Sequence, residues 1–456
     1  MQTTSSRTKM KTINGDSLTP ILIFRRLQGK HKFLLESSAQ HEGAGRFSFI
    51  GANPRKTYKG SGQEIQEYSY QTGKTYVHKG ERFDLLKRLM PRICNTTKFP
   101  FSGGAVGYIS HGRTSMMQND EMDFPDVHFH VYETIVVFDH LTDEVTLIHT
   151  NIEAEKREPD LEELAQQLLN GHASKETTYI YQPFATSVQD QFAVALKNIQ
   201  ANLDEEMTRV VLPKRSIAAF QGDAFSLYRQ LRKKKPAAYM YYVEFEDHVV
   251  VGTSPESLIQ VKGERVIATP TEGIYPRGET KSDDLENERK LYDHVEIRKS
   301  HAILVSVVQQ ALQSVCFRGS IQVIDARRIE RSKQALHMTS TVEGRLLSML
   351  HALDVLAATL PLLSTTEIPK DQAPHYLEKW HHSAGIFGGA LGFIGFNGHL
   401  DFALTGQSIV VEQATMHMQS TITVTKYTDV LEILQQMQKE DRAYLQLLAN
   451  NGGRKE

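Results

Sequence analysis

Two glycine-rich runs contain the residue types that bind phosphate in many loops. Residues 388–398 read GGALGFIGFNG, and residues 103–109 read GGAVGYI. Backbone N–H groups in glycine-rich loops can bind anions, but Gly389, Gly392 and Gly395 are spaced three apart, and no Gly-Lys-Ser/Thr sequence follows them. This spacing is not that of a dinucleotide-binding loop or a P-loop. We therefore interpret both runs as apolar strands in which glycine permits a bend or a close approach of two backbones.

Nineteen histidines make a metal site a second candidate for chemistry. The densest cluster, HYLEKWHHS, places Glu378 three residues before His381, as in carboxylate-bridged di-metal sites, but the second copy of the motif that such sites need is missing. The order also differs from the H-E-x-x-H motif of zinc proteases. We interpret the cluster as a polar helix end beside Trp380. The chain has no G-x-S-x-G motif, and its two cysteines, Cys94 and Cys316, do not form a metal-binding set.

The overall composition is that of an ordinary globular protein. The chain has 456 residues, a formal net charge of −2 and 40% hydrophobic residues, which predicts two or three domains or one large α/β unit. The charge gives no electrostatic reason to expect a nucleic-acid or membrane partner. Two cysteines fit a reducing compartment, and the polar N-terminus shows no apolar signal segment. We therefore expect a cytoplasmic protein.

The hydrophobic periodicity predicts alternating helices and strands that would hold these residues in place. We expect helices at 17–29 and 81–93, a long helix at 285–316, and a pair of strands around Glu246-Asp247. A mostly polar stretch predicts a domain boundary or crossover near 175–186.

Several separated segments resemble the large subunit, component I, of anthranilate synthase. They occur in the family's order and together cover the chain from about residue 15 to 440: LLESSAQHEGAGRFSFIGANP at 34–54, FSGGAVGYI at 101–109, YETIVVFDH at 132–140, the run at 222–263, TPTEGIYPRGET at 269–280, ALHMTSTVEGRL at 335–346 and FGGALGFIGFNGHLDFAL at 387–404. The resemblance implies an α+β fold, a two-sheet α/β sandwich with outer helices. It also implies an N-terminal regulatory and scaffold region at 15–175 and a chorismate-binding-like domain at 186–445.

The resemblance implies that chorismate is aminated and loses pyruvate to give anthranilate, a step of tryptophan biosynthesis. Ammonia comes from glutamine through a separate glutamine amidotransferase subunit, and Mg²⁺ holds the ring carboxylate of the substrate. Three family positions are retained: Glu256 matches the acid that assists loss of the ring hydroxyl, His337 the histidine near the reacting ring, and Gly273 a loop glycine. A positioned acid suits this chemistry because an expelled hydroxyl must be protonated.

Other family positions carry different residues. No metal position is retained, since the first falls on Ser300 and the second on Ile433 and Gln436. The carboxylate-binding arginine is Gln407, which cannot supply the charge of a bidentate guanidinium. Two acids lie close by in sequence and are candidate substitutes for the metal ligands: Glu296, one helical turn before Ser300, and Glu432, next to Ile433.

The resemblance also implies a feedback site for tryptophan, at which Glu36, Ser37, Tyr239 and Met240 match the family; a plain inner strand edge is the alternative interpretation. Three functions remain open: an anthranilate synthase component I, another chorismate-utilising enzyme such as an aminodeoxychorismate or isochorismate synthase, and a catalytically inactive paralogue that binds tryptophan or an amidotransferase and acts by regulation. Because metal and carboxylate-binding positions are substituted together, we expect little or no Mg²⁺-dependent anthranilate formation.

Overall fold

The computed structural model describes most of the chain. The described residues are 8–37, 45–93, 97–110, 124–153, 159–175, 177–183, 197, 201, 209–255, 257–332, 335–360, 386, 388–406, 408–425, 431 and 435.

Two antiparallel sheets account for the described strands. The first has eleven strands in the order β1 (Thr8–Asn14), β10 (Glu144–Thr150), β9 (Thr134–Asp139), β3 (Phe47–Gly51), β2 (Phe33–Glu36), β13 (Tyr239–Glu244), β14 (His248–Ser254), β22 (Ser408–Glu412), β23 (Thr415–Thr425), β12 (Arg209–Gly222) and β11 (Tyr179–Pro183). Neighbours in this order are joined by antiparallel hydrogen bonds.

The second sheet has twelve strands. Its order is β17 (Thr271–Pro276), β19 (Ala335–Arg345), β16 (Arg265–Ala268), β15 (Ser257–Lys262), β21 (Leu400–Leu404), β20 (Ala390–Gly395), β7 (Gly104–Ile109), β8 (Val127–Tyr132), β4 (Lys56–Ser61), β5 (Glu64–Ser69) and β6 (Thr75–Lys79), with β18 (Gln322–Arg331) paired to β19. Both sheets take strands from 15–175 and from 186–445, and the division of the chain at these bounds stays a prediction.

Helices pack on the outer face of each sheet. They are α1 (Pro20–Arg26), α2 (Arg82–Leu89), α3 (Leu161–Asn170), α4 (Ala224–Lys234), α5 (Lys281–Asp293), α6 (Val295–Gln313) and α7 (Ala352–Thr359). Side chains cap several of them: the Asp223 carboxylate accepts hydrogen bonds from Phe225 N and Ser226 N at the start of α4. Such caps satisfy backbone donors that have no partner inside the helix.

The core has three layers because successive strand residues point to opposite faces. On β2, Phe33 belongs to a cluster between the sheets, which includes Phe101, Tyr108 and Val250, whereas Leu34 belongs to a cluster under the helices of the first sheet. A third cluster lies between the second sheet and the helices α2, α6 and α7. The expected α+β sandwich with outer helices is confirmed.

The two glycine-rich runs are neighbouring strands. β7 pairs with β20, and Gly104 lies opposite Gly395 and Gly107 opposite Gly392. A Cβ atom added to Gly107 would lie 1.9 Å from the carbonyl oxygen of His128, so a side chain there has no room. Both runs are therefore strands that need glycine for close backbone approach, as the sequence predicts.

Two expectations about secondary structure are wrong in detail. The single helix expected at 285–316 is divided into α5 and α6 at His294, whose backbone is extended and whose Nδ1 accepts a hydrogen bond from Ile297 N at 3.4 Å. The strands around Glu246-Asp247 are β13 and β14 as expected, but the stretch also contains β15, because the chain passes from the first sheet to the second between Ser254 and Ser257. Among the described residues, no helix is long and apolar enough to cross a membrane.

Candidate functional site

A cavity of about 470 Å³ is lined by residues of both sheets. The first sheet contributes the ends of β2 and β13, and the second contributes β15, β20 and β21. The four residues predicted from the resemblance to bind tryptophan, Glu36, Ser37, Tyr239 and Met240, all line this cavity. They lie together because β2 and β13 are adjacent and Glu36 pairs with Met240 in register. A cleft of this size with apolar walls and a few polar groups is typical of a small-molecule site.

Protein donors hold the Glu36 carboxylate in place. Glu36 is 5% exposed, and it accepts a hydrogen bond from Tyr228 Oη at 2.5 Å. It also accepts hydrogen bonds from Arg232 Nε at 2.7 Å and Nη2 at 3.0 Å. Tyr228 and Arg232 lie one turn apart on α4, which packs against β13 and β14. Burial, and then the neighbouring Glu36, raise the pKa of Tyr228 well above its usual value, so the phenol remains a donor.

The next residue offers a polar group to the cavity. Ser37 Oγ is buried and makes no hydrogen bond to the described part of the chain. A buried hydroxyl without a partner is costly unless a ligand or water satisfies it. Ser37 is therefore the hydroxyl most suited to contact a bound molecule.

The opposite wall carries a hydrogen-bonded carboxylate. Tyr239 Oη donates to Asp401 Oδ1 at 2.8 Å, and Gln260 Nε2 donates to Asp401 Oδ2 at 3.1 Å and to Tyr239 Oη at 2.7 Å. Burial raises the pKa of Asp401 to about 6, against the opposing effect of these hydrogen bonds. At neutral pH the carboxylate is ionised and can accept a hydrogen bond from a ligand ammonium or N–H group.

Aromatic rings and cations complete the lining. Phe49 and Phe393 contact each other edge to face with centroids 5.7 Å apart. Arg46, Lys98 and Lys262 also line the cavity. Rings favour a planar ligand, and charges of both signs favour a zwitterionic one, so the cavity suits an aromatic molecule with an amino and a carboxylate group.

Gly273 and His337, two residues predicted to be catalytic, are brought together on β17 and β19. Glu272 pairs with Met338 and Tyr275 with Leu336, so two residues, Gly273 and Ile274, oppose His337 in a β-bulge. Gly273 has φ +76°, and a Cβ atom there would lie 2.8 Å from Ile297 Cγ2 on α6. Glycine is therefore required at this position by both the backbone angle and the packing.

The helix that packs on this bulge carries Ser300, the first of the metal positions. The adjacent His301 is buried and its Nε2 lies 2.7 Å from Ser340 Oγ. Burial, and then Arg327, lower the pKa of His301 to about 4. Mg²⁺ prefers carboxylate oxygens, whereas Ser300 offers a hydroxyl, and within the described residues no group of three metal-ligating side chains includes a residue of α6. Of the predicted metal positions, Ser300 is the one that the structure describes, and it does not fit Mg²⁺.

The remaining predicted site residues are not placed by the structure. Glu256, Gln407, Glu432, Ile433 and Gln436 lie outside the described residues. Glu296 belongs to α6, one turn before Ser300. The predictions for these residues stay predictions.

Sequence reasoning missed the residues that position the cavity walls. Arg232 and Tyr228 are four apart in FSLYRQLRKK, a spacing that places them on one helix face. Asp401 interrupts the apolar strand HLDFAL, and a polar residue in an apolar strand is a signal for a buried contact.

The fold and these motifs define one class of protein: the chain belongs to the family of chorismate binding enzymes, whose model matches residues 30–429. Anthranilate synthases are among its relatives. Anthranilate synthase component 1 of Lactococcus lactis subsp. lactis is 29% identical over 430 residues, which cover 90% of this chain and 93% of that protein. The corresponding protein of Thermus thermophilus is 29% identical over 439 residues, covering 90% and 91%.

Solved structures agree with this assignment. Anthranilate synthase component I from Streptococcus pneumoniae superposes with a TM-score of 0.74 at 25% identity, covering 96% of this chain and 99% of that chain. The menaquinone-specific isochorismate synthase MenF of Escherichia coli superposes with a TM-score of 0.73 at 12% identity, covering 97% and 95%, which shows a shared fold. The resemblance to anthranilate synthase component I seen in the sequence is confirmed.

Proposed function

We infer that the protein is of the anthranilate synthase component I type, that its inter-sheet cavity binds tryptophan, and that its Mg²⁺-dependent formation of anthranilate is weak or absent. The proposal that the cavity binds tryptophan rests on one observation: Glu36, Ser37, Tyr239 and Met240 all line it.

The chemistry of the lining supports an aromatic amino acid as the ligand. The indole ring would lie beside Phe49 and Phe393, which face the space between the sheets and remove it from water. The ammonium group would donate to Asp401, and the hydroxyl of Ser37 would gain the partner that it lacks in the described chain. Tryptophan offers a ring, an N–H donor and both charges, and thus complements each part of the lining.

The residues on and near β17 and β19 are the reason to expect that catalysis is weak. Glu256 would act as the general acid, and His337 would lie near the reacting ring beside the bulge at Gly273. When bound, Mg²⁺ would neutralise the ring carboxylate of chorismate, but Ser300 cannot provide the carboxylate that the ion prefers. A dicarboxylate substrate without its counter-charges binds poorly, and Gln407 does not restore the missing positive charge. A glutamine amidotransferase subunit as the source of ammonia is part of the same proposal.

Two other functions are compatible with the family. The chain could be a paralogue that only regulates or assembles with an amidotransferase, or another chorismate-utilising enzyme of the aminodeoxychorismate or isochorismate type. The likeness to MenF concerns the fold alone and favours neither.

Isothermal titration of tryptophan into the purified full chain tests the cavity. We expect binding with one site per chain, and a weaker affinity in Ser37→Ala, because the variant loses a hydrogen-bonding group inside the cavity. Ser282→Ala, which changes an exposed serine on α5, is the matched control. A folded wild-type protein that gives no heat with tryptophan would contradict the proposal.

Anthranilate fluorescence after addition of chorismate, ammonium and Mg²⁺ tests the catalytic part. We expect little or no signal. Normal turnover would refute this part and make Glu296 and Glu432 the first residues to substitute, whereas formation of another product would favour a different chorismate-utilising enzyme.

A further inference from the structure

A cluster of histidines and carboxylates lies away from the cavity, where β8 meets the β13–β14 hairpin. His128 and His130 are two residues apart on β8 and therefore lie on one face of the strand. Glu246 and Asp247 form the tip of the hairpin, between Glu244 and His248. None of these residues lines the cavity described above.

Three side chains of this cluster converge as metal ligands do. One ligand atom from each of His31, His130 and Glu246 lies within 4.8 Å of the other two. Glu246 Oε2 is 3.9 Å from His130 Nε2 and 2.9 Å from His128 Nε2. In a tetrahedral site with metal–ligand bonds of about 2.0–2.1 Å, neighbouring ligand atoms are about 3.4 Å apart. The 3.9 Å between Glu246 Oε2 and His130 Nε2 is close to that value, so a small side-chain shift would complete the geometry, whereas the 2.9 Å contact with His128 is a hydrogen bond to the same carboxylate oxygen.

The cluster also contains a buried imidazole that has no hydrogen-bond partner in the described chain. His130 is 0% exposed, and within the described chain neither Nδ1 nor Nε2 has a hydrogen-bond partner. The 3.9 Å separation from Glu246 is too long for a hydrogen bond. A neutral imidazole has one donor and one acceptor, and burying both without partners is costly. A metal ion bound to the acceptor nitrogen would supply the partner that the buried imidazole of His130 lacks among the described residues.

The surrounding residues have the arrangement of an outer shell. The Tyr70 hydroxyl donates to Oε1 of Glu246, which leaves Oε2 facing the histidines. His31 has φ +52°, uncommon for a residue with a side chain, and its carbonyl accepts a hydrogen bond from Tyr132 Oη at 2.6 Å. Outer contacts of this kind orient ligands, and strained backbone concentrates at functional sites.

The cluster is accessible to a metal ion from solvent, and its ligand atoms favour particular metals. The Glu246 side chain is 34% exposed, so an ion can enter from the hairpin side. Imidazole nitrogens with one carboxylate oxygen suit Zn²⁺ and related transition metals, whereas Mg²⁺ and Ca²⁺ prefer oxygen ligands alone. A second trio, His128, Asp247 and His248, is less suited, because Lys59 is ion-paired with Asp247 at 2.7 Å and Tyr108 lies 3.2 Å from His248 Nε2.

We propose that His31, His130 and Glu246 bind one Zn²⁺ ion, with water in the fourth position, and that this ion joins β8, the turn before β2 and the β13–β14 hairpin. The ligands come from distant parts of the sequence and meet only in the folded chain. Zn²⁺ therefore stabilises the fold by mass action. The site is independent of the tryptophan and chorismate proposals.

Titration of ZnCl₂ into the chelator-treated full chain at pH 7.5 tests the site, with the melting temperature measured in parallel. We expect one ion per chain and a melting temperature that rises with the Zn²⁺ concentration. Glu246→Gln keeps the shape of the side chain but removes its charge, and we expect at least a tenfold weaker affinity. Glu67→Gln is the matched control, because Glu67 pairs with His78 at 3.0 Å and belongs to neither ligand trio.

A second variant separates metal binding from packing. His130 lies beside the rings of Phe245 and Tyr132, so His130→Phe keeps an aromatic ring in an aromatic setting. We expect this variant to be at least as stable as the metal-free wild type and to lose the Zn²⁺-dependent rise in melting temperature. Absence of Zn²⁺ binding by the wild type, or binding that both variants retain unchanged, would overturn the proposal.

Discussion

Removal of the Arg232 guanidinium should destabilise the protein more than removal of the Glu36 charge. Arg232→Met keeps most of the aliphatic length of the side chain but deletes two hydrogen bonds to a carboxylate whose side chain is 2% exposed. Glu36→Gln removes the buried charge itself and leaves a group that can still accept a hydrogen bond from Tyr228. The two variants thus differ in whether an uncompensated charge stays buried.

The structure sets the expected size of each effect. Loss of one partner of a buried ion pair costs about 3–5 kcal/mol. Two features place Arg232→Met at the lower end, about 3 kcal/mol: Tyr228 still donates to Glu36 at 2.5 Å, and the Arg232 side chain is 37% exposed, so water reaches the position. For Glu36→Gln we expect about 1 kcal/mol, the value of an ordinary hydrogen bond. In the double variant no charge remains buried, and we expect it to recover about 1–2 kcal/mol relative to the sum of the single changes.

Urea unfolding followed by circular dichroism measures these differences. The four proteins, wild type, two single variants and the double variant, are compared at one protein concentration and pH. The reasoning is refuted if Arg232→Met costs no more than Glu36→Gln, or if the double variant equals the sum of the two. Either result would mean that water or another group compensates the Glu36 carboxylate.

Three further predictions follow from single positions. Burial raises the pKa of Asp401 from 3.8 to about 6 in the folded state. This carboxyl therefore favours the folded state at low pH, and its contribution is lost as the pH rises through 6. In urea unfolding, Asp401→Asn should accordingly show a smaller change of stability between pH 4 and pH 6 than the wild type. Gly273→Ala should cost about 1–3 kcal/mol from positive φ plus a clash, and more than Gly319→Ala, which has φ +83° but open space around it; equal unfolding midpoints would argue against the clash. Burial raises the pKa of Cys316 to about 11, so its thiol should react with a disulfide reagent only on unfolding, and rapid labelling of the native chain at this residue would contradict its burial.

The sequence by itself determined the family and the general architecture. Separated motifs in one order indicated anthranilate synthase component I, and with this resemblance the two-sheet sandwich with outer helices, while the apolar periodicities indicated which segments form helices and strands. These features are readable because periodicity is a local property of a few consecutive residues. The sequence also excluded a phosphate-binding role for the glycine-rich runs, since the spacing of Gly389, Gly392 and Gly395 does not match such loops.

Only the tertiary structure decided which distant residues meet. It placed β7 beside β20, so that Gly107 faces Gly392, and it brought Arg232 to Glu36 across 196 positions of the chain. It also put His130 beside Glu246. No local pattern encodes these pairs, because each depends on how strands from both halves of the chain are ordered within the sheets. The sequence supplied the types of residue available for chemistry, and the packing of the two sheets selected the combinations that can act together.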